Sequence, residues 1–107
     1  MDGSVLDALF ATIAARKGGD PAVSYTAKLL AAGRPAIARK LGEEAVEAVV
    51  AALGGEGAER VAAESADLLY HLLVLWAECG VAPAAVWAEL ERRRGTSGIA
   101  EKAARRT

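Results

Sequence analysis

Apolar positions along this chain recur mostly with the three- to four-residue period of an amphipathic helix. Leu6, Leu9, Phe10 and Ile13 stand at i, i+3, i+4 and i+7, which predicts a first helix capped by Ser4 and running to about Lys17. Gly18-Gly19-Asp20-Pro21 stops it. Ser24-Tyr25-Thr26 opens a short helical stretch through Leu30, ended by Gly33. Pro35 suits the first turn of the next helix, which extends to Leu53. Gly54-Gly55-Glu56-Gly57 breaks the pattern, and a third long helix follows to about Cys79, with Gly80 as its stop. Pro83 opens a fourth helix to about Arg94, and Gly95-Thr96-Ser97-Gly98 leads into a basic tail over 95–107. There is no internal repeat and no low-complexity linker.

The two central helices, joined by a short connection, should pack antiparallel as a hairpin. Leu68 to Trp76 is apolar almost all round. Such a helix must be covered on most sides. Four modest helices from one small chain hardly suffice for that, so a second subunit is expected to complete the bundle.

Composition narrows the picture. The 107 residues are expected to form one all-α domain over 1–107. Hydrophobic content is 53%, but alanine, the best helix former, supplies about half of it. A net charge of -1 sets up no strong field to recruit nucleic acid or an anionic membrane, and 5% aromatics argue against a base-stacking surface. The longest apolar run, Leu68 to Ala77, is interrupted by His71 and is far shorter than the roughly 20 residues of a membrane span. The N-terminus carries no basic region leading into an apolar one, and Cys79 has no partner cysteine, so a reducing cytoplasm is expected.

The chemistry concentrates in acidic residues. Glu43, Glu47 and Glu44 stand at about 0°, 40° and 100° around the second long helix. Glu64 and Asp67 lie about 60° apart on the third, with His71 between them in angle. Both sets are surrounded by apolar positions. Two like charges 4 Å apart repel by roughly 4 kcal/mol at an effective dielectric of 20. A face turned into the hairpin therefore needs a cation, and hard oxygen ligands without paired Cys or His select Mg²⁺ or Mn²⁺ over zinc. Mg²⁺ in turn accepts phosphate oxygens, which points to a di- or triphosphate. The competing reading is a solvated helix face, against which Asp67 weighs because it precedes Leu68-Leu69-Tyr70.

Glu44-x-x-Glu47, sixteen residues, then Glu64-x-x-Asp67 resembles the metal signature of the MazG-like all-α nucleotide pyrophosphohydrolases. The segments Ser24 to Leu30, Lys40 to Glu44 and Ala66 to Leu75, with Ser97-Gly98-x-x-Glu101-Lys102-Ala103-x-Arg105, resemble more closely the phosphoribosyl-ATP pyrophosphohydrolase family. The resemblance runs from about Leu9 to Arg105 and implies a MazG-like bundle of about four to five helices completed by dimerisation. It implies hydrolysis of phosphoribosyl-ATP to phosphoribosyl-AMP and pyrophosphate, the second step of histidine synthesis, by a cytoplasmic homodimer. The cyclohydrolase fused in front of many such domains finds no room here, so a free-standing activity is expected. Glu44, Glu47, Glu64 and Asp67 would hold one or two Mg²⁺ ions, which would orient the triphosphate and activate water. Glu43 would be a further ligand or a base. Rival readings are a housekeeping pyrophosphatase acting on dUTP or other triphosphates, and a non-enzymatic helical dimerisation module.

Phosphate oxygens also require cations. Arg16, Lys17, Lys28, Lys40, Arg93, Lys102 and Arg105 are candidates, each of which is otherwise an ordinary surface charge. Lys40 is favoured because it stands one turn before the acidic stripe. Tyr25 stacks on a base or packs, His71 is a core histidine or a ligand, and the tail either closes over substrate or is unanchored.

Overall fold

In the computed structural model, residues 3–95 and 98–105 are described, and they form six helices with no strand among them: α1 (Ser4–Ala15), α2 (Tyr25–Ala32), α3 (Arg34–Leu53), α4 (Ala58–Cys79), α5 (Pro83–Arg93) and α6 (Gly98–Arg105). The all-α expectation holds. Three details differ from the sequence reading. Ser4 is the first helical residue rather than the cap, a position taken by Gly3 with no side-chain cap bond. α1 ends at Ala15 instead of Lys17, because tight turns through Arg16 N–H to Ile13 O (3.0 Å) and Gly19 N–H to Arg16 O (2.9 Å) already reverse the chain. The basic tail, in which the sequence reading placed no helix, adds a sixth helix, α6.

α3 and α4 form the antiparallel hairpin, and Arg34 Nη2 donating to the Glu78 carbonyl (3.4 Å) pins the start of one to the end of the other. Two glycines set its ends. Gly55 (φ 68) lets Glu56 N–H reach back to Ala51 O at 3.2 Å, and Gly80 (φ 72) lets Val81 N–H reach Trp76 O at 2.9 Å. Both are six-to-one closures that need a left-handed residue. Ser24 caps α2 by accepting from Ala27 N–H at 3.1 Å.

The core is Ile13 of α1, Leu29 and Leu30 of α2, Ile37 of α3, and Leu73 and Val74 of α4. Ile37 lies early in α3 and Leu73 late in α4, so α1 and α2 cover the open end of the hairpin. Near the α3–α4 turn the hairpin is bare: Val46 is 61% exposed, Val49 56%, Val50 54% and Leu53 84%. The uncovered apolar face therefore lies mainly on α3. The stretch Leu68 to Trp76, expected to be the face in need of a partner, is mostly buried or half-buried within its own chain. α5 folds back so that Trp87 meets Trp76 edge to face and donates from Nε1 to Asp7 Oδ1 at 2.9 Å.

Candidate active site

Midway along the hairpin, between its packed and bare ends, Glu44 and Glu47 of α3 meet Glu64 of α4. Each offers one carboxylate oxygen within 4.8 Å of the others. Glu44 (6% exposed) and Glu64 (4%) are buried, while Glu47 is exposed. The i, i+3 spacing of Glu44 and Glu47 puts both on the side of α3 that faces α4.

The two buried carboxylates are built alike. Lys40 Nζ lies 3.3 Å from Glu44 Oε1, and Arg60 Nη2 lies 2.7 Å from Glu64 Oε1, each cation one helical turn before its carboxylate. In both residues the second oxygen, Oε2, is buried with no hydrogen-bond partner. An orphaned buried carboxylate oxygen is costly unless something absent from the chain completes it. Burial pushes the Glu64 carboxyl above its ordinary range, Arg60 opposes this, and the nearby carboxylates of Glu47 and Asp67 add to it. The Lys40 ammonium is held charged, its pKa raised first by its bond to Glu44, then by Tyr25 and by the charges of Glu44 and Glu43.

Of the four residues expected to bind metal, the structure brings three into one group. Asp67 is exposed and lies outside that group, although its charge is felt at Glu64. Glu43 is exposed and pairs with Lys40 at 3.6 Å. His71 is the satisfied core histidine: Nδ1–H donates to the Asp67 carbonyl at 2.7 Å, and Nε2 accepts from the Tyr25 hydroxyl at 3.4 Å. Tyr25 keeps half its surface exposed while stacking on Tyr70, whose hydroxyl bonds Thr26. α2 is thereby docked on α4 with Tyr25 beside the acidic residues.

Among the predicted phosphate ligands, Lys40 is tied to the acidic group, through Glu43 and Glu44. Arg16, Lys17, Lys28 and Lys102 are exposed, as is Arg105 on α6. Arg93 donates from Nε to Glu89 Oε1 at 2.9 Å on its own helix, and Ser97 lies outside the described residues. Arg60 was missed. Its signal was present in the sequence, since Arg60-x-x-x-Glu64 repeats the spacing of Lys40-x-x-x-Glu44. A depression between α1 and α5, lined by Gly3, Leu6, Asp7 and Trp87, contains none of these groups.

The fold is that of an all-α protein in which three carboxylates that could hold a cation meet between two antiparallel helices. The family model for phosphoribosyl-ATP pyrophosphohydrolase matches residues 6–94, and the chain belongs to that family. It is 65% identical over 104 residues to a phosphoribosyl-ATP pyrophosphatase of Paramagnetospirillum magneticum, covering 97% of this chain and 94% of that protein. It is 60% identical over 107 residues to one from Azospirillum brasilense, covering 100% and 96%. A Rhodospirillum rubrum relative of the same name is 65% identical over 102 residues, with 95% and 86% covered. Among the described residues, no single helix is long and apolar enough to cross a membrane.

Proposed function

We propose that this protein hydrolyses phosphoribosyl-ATP to phosphoribosyl-AMP and pyrophosphate in histidine synthesis, with Mg²⁺ held by Glu44, Glu47 and Glu64 and with Asp67 at the edge of the set. Family membership over most of the chain supports the reaction. The observation that supports the metal is the pair of orphaned, buried oxygens on Glu44 and Glu64, in a donor set of oxygens only, where Mg²⁺ or Mn²⁺ fits better than zinc. When bound, the ion supplies charge neutralisation for the polyphosphate and Lewis acidity at the bond that breaks.

The chain's own groups do the rest. In the ligand-free chain the cations on Glu44 and Glu64 hold each carboxylate by one oxygen and leave the other without a partner. Lys40, paired with Glu43 and Glu44, is placed to meet phosphate oxygens. Glu43, outside the three-carboxylate group and exposed, accepts the proton of the attacking water. Tyr25, half exposed with its hydroxyl fixed on His71, offers a rigid ring edge for the adenine or ribose. The bare apolar face on α3 supports a homodimer as the working unit, and a cytoplasmic location goes with this reaction.

The test is pyrophosphate release from phosphoribosyl-ATP by purified protein, with and without EDTA, against dUTP and other triphosphates. Turnover of phosphoribosyl-ATP that stops with EDTA and returns with Mg²⁺ is expected. Undiminished activity after exhaustive chelation removes the metal. A preference for dUTP returns the protein to the housekeeping pyrophosphatases. Growth without histidine, restored by this gene in a strain lacking the step, checks the role in the cell.

A further inference from the structure

We propose that Arg60 is a two-position cation, holding Glu64 while no metal is bound and passing to the polyphosphate of the substrate once the metal is in place. This rests on the metal-dependent reading above and names a substrate-binding residue in it. Arg60 makes two contacts, Nη2 to Glu64 Oε1 at 2.7 Å and Nε to Glu56 Oε1 at 3.6 Å, and its side chain is 57% exposed. It is thus anchored by charge alone at the rim of the carboxylate group, with a long, flexible stem.

The charge balance argues for exchange. Glu43, Glu44, Glu47, Glu64 and Asp67 gather on two facing helices, and Lys40 and Arg60 are cations tied to this group. Without metal, Arg60 offsets the charge of a buried carboxylate whose other oxygen has no partner. A divalent ion on that free oxygen supplies the offset instead, so the hold of Glu64 on Arg60 weakens. The same ion brings in a polyphosphate with several unshared oxygens, and a guanidinium pairs two of them at once. Lys40 stands in the mirror position on α3, so the two helices flank the bound phosphates with one cation each.

The experiment compares wild type, Arg60→Gln and Arg60→Lys by calorimetry with Mg²⁺ alone and with magnesium pyrophosphate. Thermal unfolding without metal and steady-state kinetics on phosphoribosyl-ATP complete it. Arg60→Gln is expected to bind magnesium pyrophosphate about tenfold more weakly and to raise KM by a similar factor. Its kcat should change by less than about threefold. Mg²⁺ alone should bind no more weakly than to wild type, and the metal-free midpoint should fall. Arg60→Lys, keeping charge but losing the fork, should recover part of the pyrophosphate affinity. Unchanged pyrophosphate affinity in Arg60→Gln would reduce the contact to a surface ion pair and overturn the proposal. A parallel loss of Mg²⁺ affinity would also overturn it, leaving Arg60 as an orienter of Glu64. Failure of the underlying reading shows separately, as Mg²⁺ binding that Glu64→Gln leaves intact.

Discussion

At the scale of single residues, Glu64 carries the sharpest consequence. Its carboxyl is raised by burial first, so without metal the folded state holds a proton there more readily than the unfolded chain does. The stability that goes with this is present below the ordinary carboxylate pKa of 4.5 and is lost as pH rises through the raised value. Glu64→Gln mimics the protonated form. It should raise the metal-free melting midpoint at pH 7 to 8 and leave it nearly unchanged at pH 4. Because a proposed metal ligand is gone, activity should fall by about 100-fold or more. Melting curves at both pH values, with and without Mg²⁺, check the sign. Glu89 behaves oppositely. Bonds from Arg92 and then Arg93 lower it to about 2, so its contribution is present above 4.5 and lost as pH falls toward 2. Because that cluster is solvent-exposed, Glu89→Gln should lower the midpoint at pH 7 by no more than a few degrees.

At the scale of elements, the site depends on a short helix that contributes none of its carboxylates. α2 is eight residues long, too short to hold itself together, and it is set by the Ser24 cap and by docking through Thr26–Tyr70 and Tyr25–His71. Ser24→Ala removes the cap bond and should cost about 1 kcal/mol in denaturant unfolding. Because Tyr25 is the first residue of that helix, the same change should raise KM for phosphoribosyl-ATP more than it lowers kcat. Equal KM in the variant would place Tyr25 outside the substrate site. Ile37, fully buried where α3 meets α4, belongs to the hairpin itself. Ile37→Ala should cost about 2–5 kcal/mol, with the spread set by how far the core collapses around the gap.

At the scale of the molecule, the isolated chain is larger than its length warrants. Its radius of gyration is 15.9 Å, whereas a compact chain of this size has about 13 Å. Its accessible surface is 7136 Å², against about 5,600 Å² for a typical monomer of this mass. The excess, about 1,500 Å², is roughly twice what one partner loses in a standard interface and falls in the range of obligate homodimers. Val46, Val49, Val50 and Leu53 form a contiguous apolar face on α3 that contributes to it. Light scattering at micromolar concentration should therefore report a homodimer. Val49→Glu, which puts a charge in the middle of that face, should shift it toward monomer while helical content is retained. A wild-type monomer at that concentration would remove the expected assembly.

Most helix boundaries, the hairpin and the acidic residues were legible in the sequence because each is a local signal: a 3.6-residue period, a proline at a helix start, a glycine after its end. Gly80 and Gly55 stop helices by their own backbone freedom, and Ser24 caps by its own hydroxyl. The ambiguity between a solvated acidic stripe and a site was not local. It turned on which carboxylates α3 and α4 bury against each other, and packing sets that burial residue by residue. Glu44 and Glu64 lost water at one oxygen with nothing to replace it, while Asp67 and Glu43, about 60° and 100° further around their helices, kept theirs. Packing also moved the bare apolar face from α4 to α3, since α1 and α2 spend their apolar stripes on Leu73 and Val74 and leave the far end of α3 uncovered. It bound His71 into the core as well, through a carbonyl of its own helix and a hydroxyl from α2 that lies 46 positions away in the chain.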